Sequence, residues 1–332
     1  MRRLRNQQPV SVRGTLKGLP YGLLIAILLL LPSPLPATGL NQQTLNAWDQ
    51  YIQGTDLRLR QRLADARNFL WMDETPGRRQ RVHDGEILVE PASKDIPAKV
   101  PQGLIHDWIG AAFIPNATVD SVFAMLGDYS RYDQVYHPAV ISAKPLTTSG
   151  PTRTFSLVLA EKAPFVTAAI DGEYTSQTIQ LDEHRWYAIT YSTRIQQIEN
   201  YGQAGEHELL PDQGDGYIWR LYSIQKFEER DGGVYTELEA IALSRNIPFD
   251  LQWLVRPILR HLPRNSMVAT LQKTRDAVCS GASSTAPEVA AIGRSTHDSS
   301  SGNDRGSPPK VDHGSRTGRS SPATSFGIRG QN

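Results

Sequence analysis

The sequence contains a single cysteine, Cys279, among its 332 residues. One thiol excludes both an internal disulfide framework and a metal site built from several thiolates. Catalytic signatures are missing as well, because the chain has no GxSxG, HExxH or CxxC motif and no glycine-rich phosphate loop. The fold must therefore be stabilised by packing, and no catalytic residue is predicted.

Histidine is also sparse. The eight histidines are scattered, and none stands at the spacing of metal ligands. We therefore expect neither a metal ion nor a cofactor. The histidines are residues 83, 106, 137, 184, 207, 261, 297 and 313.

The chain lacks the excess of positive charge that is typical of nucleic-acid-binding proteins. Its formal charge is +1, but the first 39 residues contribute +5 and residues 280–332 contribute +2. The part between these segments therefore carries −6. An acidic core argues against nucleic acid as a partner.

No apolar run is long enough to span a bilayer. The longest near the N-terminus, Leu23–Leu31, has nine residues and follows five basic residues without any acid. The small residues Ala37 and Gly39 then end this segment. The pattern predicts a cleavable signal peptide over residues 1–39 and export to the periplasm or the exterior. The alternative is an uncleaved N-terminal membrane anchor.

Two further segments differ from an ordinary folded core. Residues 280–332 are rich in Ser, Gly, Thr, Pro and Arg without apolar periodicity, which predicts a disordered tail. Residues 40–101 form an N-terminal extension. Apolar residues from Leu45 to Leu70 repeat at helical spacing, and Pro91 to Pro101 is rich in proline, which is typical of a linker. The helix either packs on the domain that follows or mediates dimerisation, and the oligomeric state stays open.

The pattern of residues 102–279 predicts strand, helix, antiparallel strands and a final long helix. Gly103 to Ile114 is the first strand, and a helical face follows from Val119 to Leu126. After the last strand, Val234 to Ser244, the period changes to that of a helix. Pro257 and Pro263 predict a kink or break in it. The intervening strands are predicted at 139–146, 153–161, 165–181, 185–199 and 216–229.

The turn at Asp231-Gly232 predicts the register of the last hairpin. Pairing Arg230 with Gly233 sets Lys226 opposite Glu237 on a charged face. The other face therefore turns inward. On the earlier strand, the predicted inner face carries Tyr217, Trp219, Leu221, Ser223, Gln225 and Phe227.

This layout and two local runs resemble the START-like, or helix-grip, superfamily (SRPBCC), which includes polyketide cyclase/dehydrase, lipid-transport and coenzyme Q-binding-like members. The runs are ATVDSVFAMLGDYSRYDQVYHPAVISAKPL (117–146) and GGVYTELEAIALSRNIPFDLQWLVRPIL (232–259). The resemblance covers residues 102–279. It implies an α+β fold in which a curved antiparallel sheet wraps around the C-terminal helix and leaves an apolar cavity. The extra N-terminal helix is not part of that pattern.

Aromatic and polar residues on the predicted strands 185–199 and 216–229, which belong to an antiparallel meander, are the candidate ligand-binding residues. Large apolar pockets with a few polar groups are the usual geometry of binding sites. Ser223 and Gln225 require hydrogen-bond partners when they are buried, and a ligand could supply them. The set comprises Trp186, Tyr187, Tyr191, Arg194, Tyr217, Trp219, Ser223 and Gln225.

Three functions are compatible with these features. The first is an exported domain that binds a hydrophobic small molecule or lipid, with transient membrane contact left open. The second is a cyclase- or dehydratase-type enzyme that uses the same cavity. The third is an envelope interaction domain whose cavity is filled by side chains. An enzyme needs a titratable group near the reacting atom, and no paired acids lie on the predicted inner face, which favours binding.

The N-terminal pattern leads to a prediction about export. Mass spectrometry of periplasmic or secreted protein is expected to show a mature N-terminus near Leu40. Recovery of the intact N-terminus from washed membranes would instead support the anchor.

Overall fold

The computed structural model describes residues 40–163, 166–246 and 252–284. The predicted signal peptide and most of the predicted tail lie outside the described residues. Helix α1 (Gln42–Ala64) opens the described chain, with the Asn41 side chain accepting a hydrogen bond from the Thr44 backbone at 2.8 Å. It is shorter than the apolar pattern predicted, because Asp65 ends it and caps a 3₁₀ turn, Ala66–Asn68.

One antiparallel sheet forms the centre of the domain. Within the described residues it has ten strands, in the order β1-β3-β10-β9-β7-β6-β5-β4, with β2 beside β3 and β8 beside β7. The predicted meander is confirmed, since β4, β5, β6, β7, β9 and β10 pair in chain order apart from the short β8. The strands are β1 (Leu88–Pro91), β2 (Ala98–Val100), β3 (Gly103–Pro115), β4 (Val140–Ser149), β5 (Thr152–Ala163), β6 (Val166–Gln180), β7 (Arg185–Glu199), β8 (His207–Glu208), β9 (Arg220–Arg230) and β10 (Gly233–Arg245).

Short helices occupy the connections and one long helix closes the fold. A 3₁₀ turn (Trp71–Asp73) and α2 (Arg78–His83) precede the sheet. Helices α3 (Val119–Gly127) and α4 (Tyr132–Val135) lie between β3 and β4. The closing helix α5 (Gln252–Ser284) is one helix rather than two, and it extends five residues into the predicted tail. Among the described residues, no helix has both the length and the apolar character that a membrane crossing requires.

Helix α5 packs on one face of the sheet, called the inner face below. Met267 and Leu271 cluster with Ala112 of β3 and Leu238 of β10. The approach is close at Gly110, where an added Cβ would lie 3.0 Å from the Leu271 Cδ1 atom and force this side chain to shift. This is the helix-grip arrangement that the sequence resemblance implied.

The predicted register of the last hairpin is confirmed. Arg230 pairs with Gly233, and Lys226 lies directly opposite Glu237. Ser223 pairs with Ala240 and Gln225 with Leu238, as the turn at Asp231-Gly232 predicted. A short turn with positive φ at both residues fixes the pairing, so the rest of the hairpin follows from the alternation of a strand.

The opposite face of the sheet, called the outer face, is covered by the N-terminal extension. Trp48 and Leu59 of α1 pack against Ile105, Ile224 and other residues of the central strands. This packing agrees with the first of the two predicted roles of the helix. The central strands are therefore buried on both faces, which the charged pattern of the outer face did not indicate.

Lys226 and Glu237 form a buried ion pair under this extension, and each is 1% exposed. The Lys226 Nζ atom lies 2.6 Å from a Glu237 carboxylate oxygen and donates to the Phe69 carbonyl at 3.0 Å. The other Glu237 oxygen accepts a hydrogen bond from the Trp71 backbone N–H. A buried ion pair is tolerated only when its remaining donors and acceptors are satisfied, and the 3₁₀ turns of the extension satisfy these.

Two further carboxylates, those of Asp107 and Glu239, lie near this pair. Asp107 has a fully buried side chain and accepts a hydrogen bond from the Tyr51 hydroxyl at 2.7 Å. The Arg58 guanidinium is 3.8 Å from Asp107 and 3.7 Å from Glu239. Burial, with a further contribution from the Asp107 charge, raises the pKa of Glu239 to about 7. Arg58 and Lys226 oppose this rise, and Glu237 adds to it.

The raised pKa of Glu239 predicts a specific dependence of stability on pH. Between about pH 4.5 and 7 the native state keeps a proton that the unfolded chain has released. The free energy of unfolding should therefore fall as pH rises through this window and level off above it. The shift corresponds to a contribution of about 3 kcal/mol.

Denaturant unfolding of wild type and Glu239→Gln from pH 4 to 8 would test this. The variant stays neutral, so it should lack that part of the slope and gain stability relative to wild type as pH rises. Glu208→Gln, which alters an exposed carboxylate on β8, is the matched control. Parallel curves for wild type and Glu239→Gln would contradict the prediction.

Candidate functional site

A cavity of about 890 Å³ lies between the inner face of the sheet and helices α3, α4 and α5. Strands β5, β6, β7 and β9 provide its floor. Residues from the α4–β4 connection and from α5 provide the opposite wall, including Asn265, Ala269 and Lys273. The cavity therefore lies at the position that the helix-grip resemblance implied.

One part of the cavity is apolar. Leu157 and Leu159 of β5 and Ile170 of β6 line the floor, and Val140 and Ile141 of β4 lie at the edge of the sheet. Alternate residues of a strand share a face, so every second residue of β5 from Phe155 onward contributes to this floor. An apolar ligand would lose contact with water along this surface.

Aromatic rings form a stack beside the apolar floor. The Phe155 ring lies between Tyr129 and Tyr174, with centroid distances of 4.3 Å and 5.5 Å. Such stacks add packing energy beyond the area that they bury. The Tyr174 hydroxyl is buried without a hydrogen-bond partner in the described chain, and burial raises its pKa.

The hydroxyls of the tyrosine-rich segment after α3 are held by protein atoms. Tyr132 donates to the Leu126 carbonyl at 2.6 Å, and the Tyr136 hydroxyl lies 2.9 Å from the Thr274 hydroxyl of α5. Burial raises the pKa of both phenols. These bonds connect α4 to α3 and α5, so the wall of the cavity is fixed by side-chain contacts.

Charged groups are few around the cavity. Glu161 is the one carboxylate among the described lining residues, and partial burial raises its pKa. The Lys273 ammonium donates to the His137 carbonyl. The Arg153 guanidinium lies against Gly127 at the end of α3. In the described part of the chain, no group of three or more His, Cys, Asp or Glu residues is placed to hold a metal ion.

Three of the predicted ligand-binding residues line the cavity: Tyr217, Ser223 and Gln225. Trp186 lies on the inner face, opposite Phe227, but outside the described lining of the cavity. It packs in the cluster around α3, with its ring edge-on to Phe123 at 6.3 Å.

The other candidates on β7 lie on the outer face. Tyr187 pairs with Lys226 and packs against α1 residues, and Tyr191 pairs with Tyr222 and is 44% exposed. A bulge at Thr193 reverses the alternation of β7 and turns Arg194 to the outer face. There its guanidinium lies 3.1 Å from the Glu173 carboxylate. The hypothesis that Arg194 faces the cavity is therefore wrong.

The prediction that Trp219 lies on the inner face is also wrong. Its side chain is 5% exposed and packs in the outer-face cluster with Trp48 and Leu243. Strand β9 begins only at Arg220, so the alternation that correctly places Ser223 does not extend back to position 219.

Sequence reasoning missed the residues that other elements bring to the cavity. Phe155, Leu157 and Ile170 lie on strands that were predicted but not assigned to the site. Ala269 of α5 also lines it. The alternation of β5 and β6 could have identified the floor residues, whereas the wall depends on how α4 and α5 pack against the sheet.

Comparison with known proteins gives structural neighbours only. No protein-family model matches the sequence. No curated protein matches it either. A STAR-related lipid transfer protein from Xanthomonas axonopodis is 16% identical, with a TM-score of 0.37, covering 58% of this chain and 98% of that one. Human STARD10 is 9% identical, with a TM-score of 0.37, covering 62% and 79%. The Zhui aromatase/cyclase from a Streptomyces species is 12% identical, with a TM-score of 0.35, covering 52% and 93%.

The fold of this chain follows from its own topology. The strand order, the antiparallel pairing and the packing of α5 on the inner face are those of a START-like, helix-grip fold.

Two aromatic residues on either side of Ile218 should respond differently to truncation. Trp219→Ala removes a buried ring from the outer-face cluster, which should cost about 3–5 kcal/mol of stability. Tyr217→Ala removes a 42% exposed ring at the cavity and should cost less than about 1 kcal/mol. Denaturant unfolding of both variants measures this contrast. Equal losses of stability would contradict the placement of the two rings on different faces.

Proposed function

We propose that this chain is an exported domain that binds a hydrophobic small molecule or lipid in the cavity between the sheet and α5. The proposal rests mainly on one observation, a cavity of about 890 Å³ with a mostly apolar floor. This volume falls in the range of small-molecule binding sites, about 300–1,000 Å³. Export would follow removal of residues 1–39.

Apolar burial would provide most of the binding energy. A ligand that buries about 300 Å² of apolar surface gains roughly 7 kcal/mol before the costs of association. A cavity filled by side chains, as the interaction-domain hypothesis requires, would not leave such a volume. Exchange of a lipid would also require transient contact with a membrane.

A cyclase- or dehydratase-type enzyme is the second candidate, and Glu161 is the observation in its favour. Its carboxyl group lines the cavity and has a raised pKa, which suits a general acid. A reaction that needs an acid and a base would require a second group. Among the described lining residues, His137 is one candidate for that second group.

Filling the cavity tests the binding function. Ala269→Trp places an indole at an exposed position of α5 that lines the cavity, and it should weaken binding of the uncharged fluorescent probe N-phenyl-1-naphthylamine at least about tenfold. Ser280→Trp adds the same ring to an exposed position of α5 outside the described lining and should leave binding unchanged.

Native mass spectrometry of freshly purified wild type gives an independent measurement. A co-purifying small molecule that is lost in Ala269→Trp would support the proposal. Absence of both a co-purifying molecule and saturable probe binding in wild type would contradict it.

A further inference from the structure

Polar side chains cross the floor of the cavity in a single row. Strand register sets Arg153 of β5 beside Ser176 of β6, then Thr190 of β7, then Ser223 of β9. All four line the cavity. Gln225 lies one position further along the inner face of β9. The floor thus has a polar row at one end, while the apolar floor begins at Leu157.

The members of this row differ in how well their hydrogen-bonding groups are satisfied. The Thr190 hydroxyl donates to the Ser176 hydroxyl at 2.8 Å. The side chains of Ser223 and Gln225 are half-buried, and in the described residues neither has a hydrogen-bond partner. Polar groups that a bound ligand would seal from water need partners supplied by that ligand.

The two cations of the described lining contact residues other than Ser223 and Gln225. The Arg153 side chain is directed to Gly127 and Tyr129, at the end of α3, and away from β9. Lys273 donates to the His137 carbonyl. A charged group buried over Ser223 would therefore have no counter-charge in direct contact, and such burial is far more costly than burial of a neutral polar group.

We propose that the ligand is an elongated amphiphile with an uncharged hydrogen-bonding end, such as an alcohol, ketone or amide, which lies over Ser223 and Gln225. Its apolar remainder follows Leu157, Leu159 and Ile170. This inference rests on the proposed binding function and specifies the ligand class. Ser223 and Gln225 are then the specificity-determining residues of the site, since both can donate and accept.

Three probes with the same carbon chain test the ligand class: dodecan-1-ol, dodecanoate and dodecane. Each is titrated as a competitor of the uncharged fluorescent probe N-phenyl-1-naphthylamine on the full chain. The double variant Ser223→Ala/Gln225→Leu should bind the alcohol about tenfold more weakly, as expected for the loss of two neutral hydrogen bonds. Its affinity for dodecane should be unchanged or higher, because the floor has become apolar.

Gln177→Leu is the matched control, because this exposed glutamine of β6 lies outside the described cavity lining. Its affinities should equal those of wild type. The single variant Ser223→Ala removes only one hydroxyl, and it should lose part of the alcohol affinity. If the double variant does not fold, the change in alcohol affinity of Ser223→Ala alone tests the ligand class.

The possible results distinguish the inferred ligand class from the proposed binding function on which it rests. Tighter binding of dodecanoate than of the alcohol, or equal losses for alcohol and hydrocarbon in the variants, would overturn the ligand class and leave the binding function standing. Unchanged alcohol affinity in both variants would also overturn the ligand class and leave the binding function standing. Failure of wild type to bind any of the probes would overturn both.

Discussion

Burial of the central strands on both faces is the constraint on which the rest of the structure depends. On the inner face, β3 and β10 accept α5, and small residues such as Gly110 allow the helix to approach. On the outer face the same strands carry charged residues that the N-terminal extension covers. Lys226 can be buried there only because Glu237 and the Phe69 carbonyl satisfy its ammonium group.

The two faces of the sheet are packed differently. The outer face is a packed interior in which Lys226 and Asp107 each have a hydrogen-bond partner in the extension. The inner face is only partly filled, since α5 packs tightly near Met267 and leaves a cavity further along the sheet. The packed cluster under the extension and the cavity are therefore separated by the thickness of one sheet, and Trp219 belongs to the first whereas Tyr217 lines the second.

Local signals in the sequence predicted the order of the elements, the family resemblance implied how they pack, and the site was predicted only in part. The turn at Asp231-Gly232 fixed the register of β9 and β10, so Ser223 and Gln225 were placed correctly. Alternation failed where the strand was not regular, before Arg220 and across the bulge at Thr193. The wall of the cavity could not be derived, because it depends on contacts such as Tyr136 with Thr274, which are 138 residues apart.

The cover of the outer face has a consequence for the order of folding. Phe69 and Lys226 are 157 residues apart, and Trp71 and Glu237 are 166 residues apart. Contacts between such distant positions require closure of long loops, which slows folding. The extension is synthesised before the sheet, yet it cannot find its binding surface until β9 and β10 have been made and paired. Helix α1, which precedes the sheet in the chain, is thus among the last elements to reach its place.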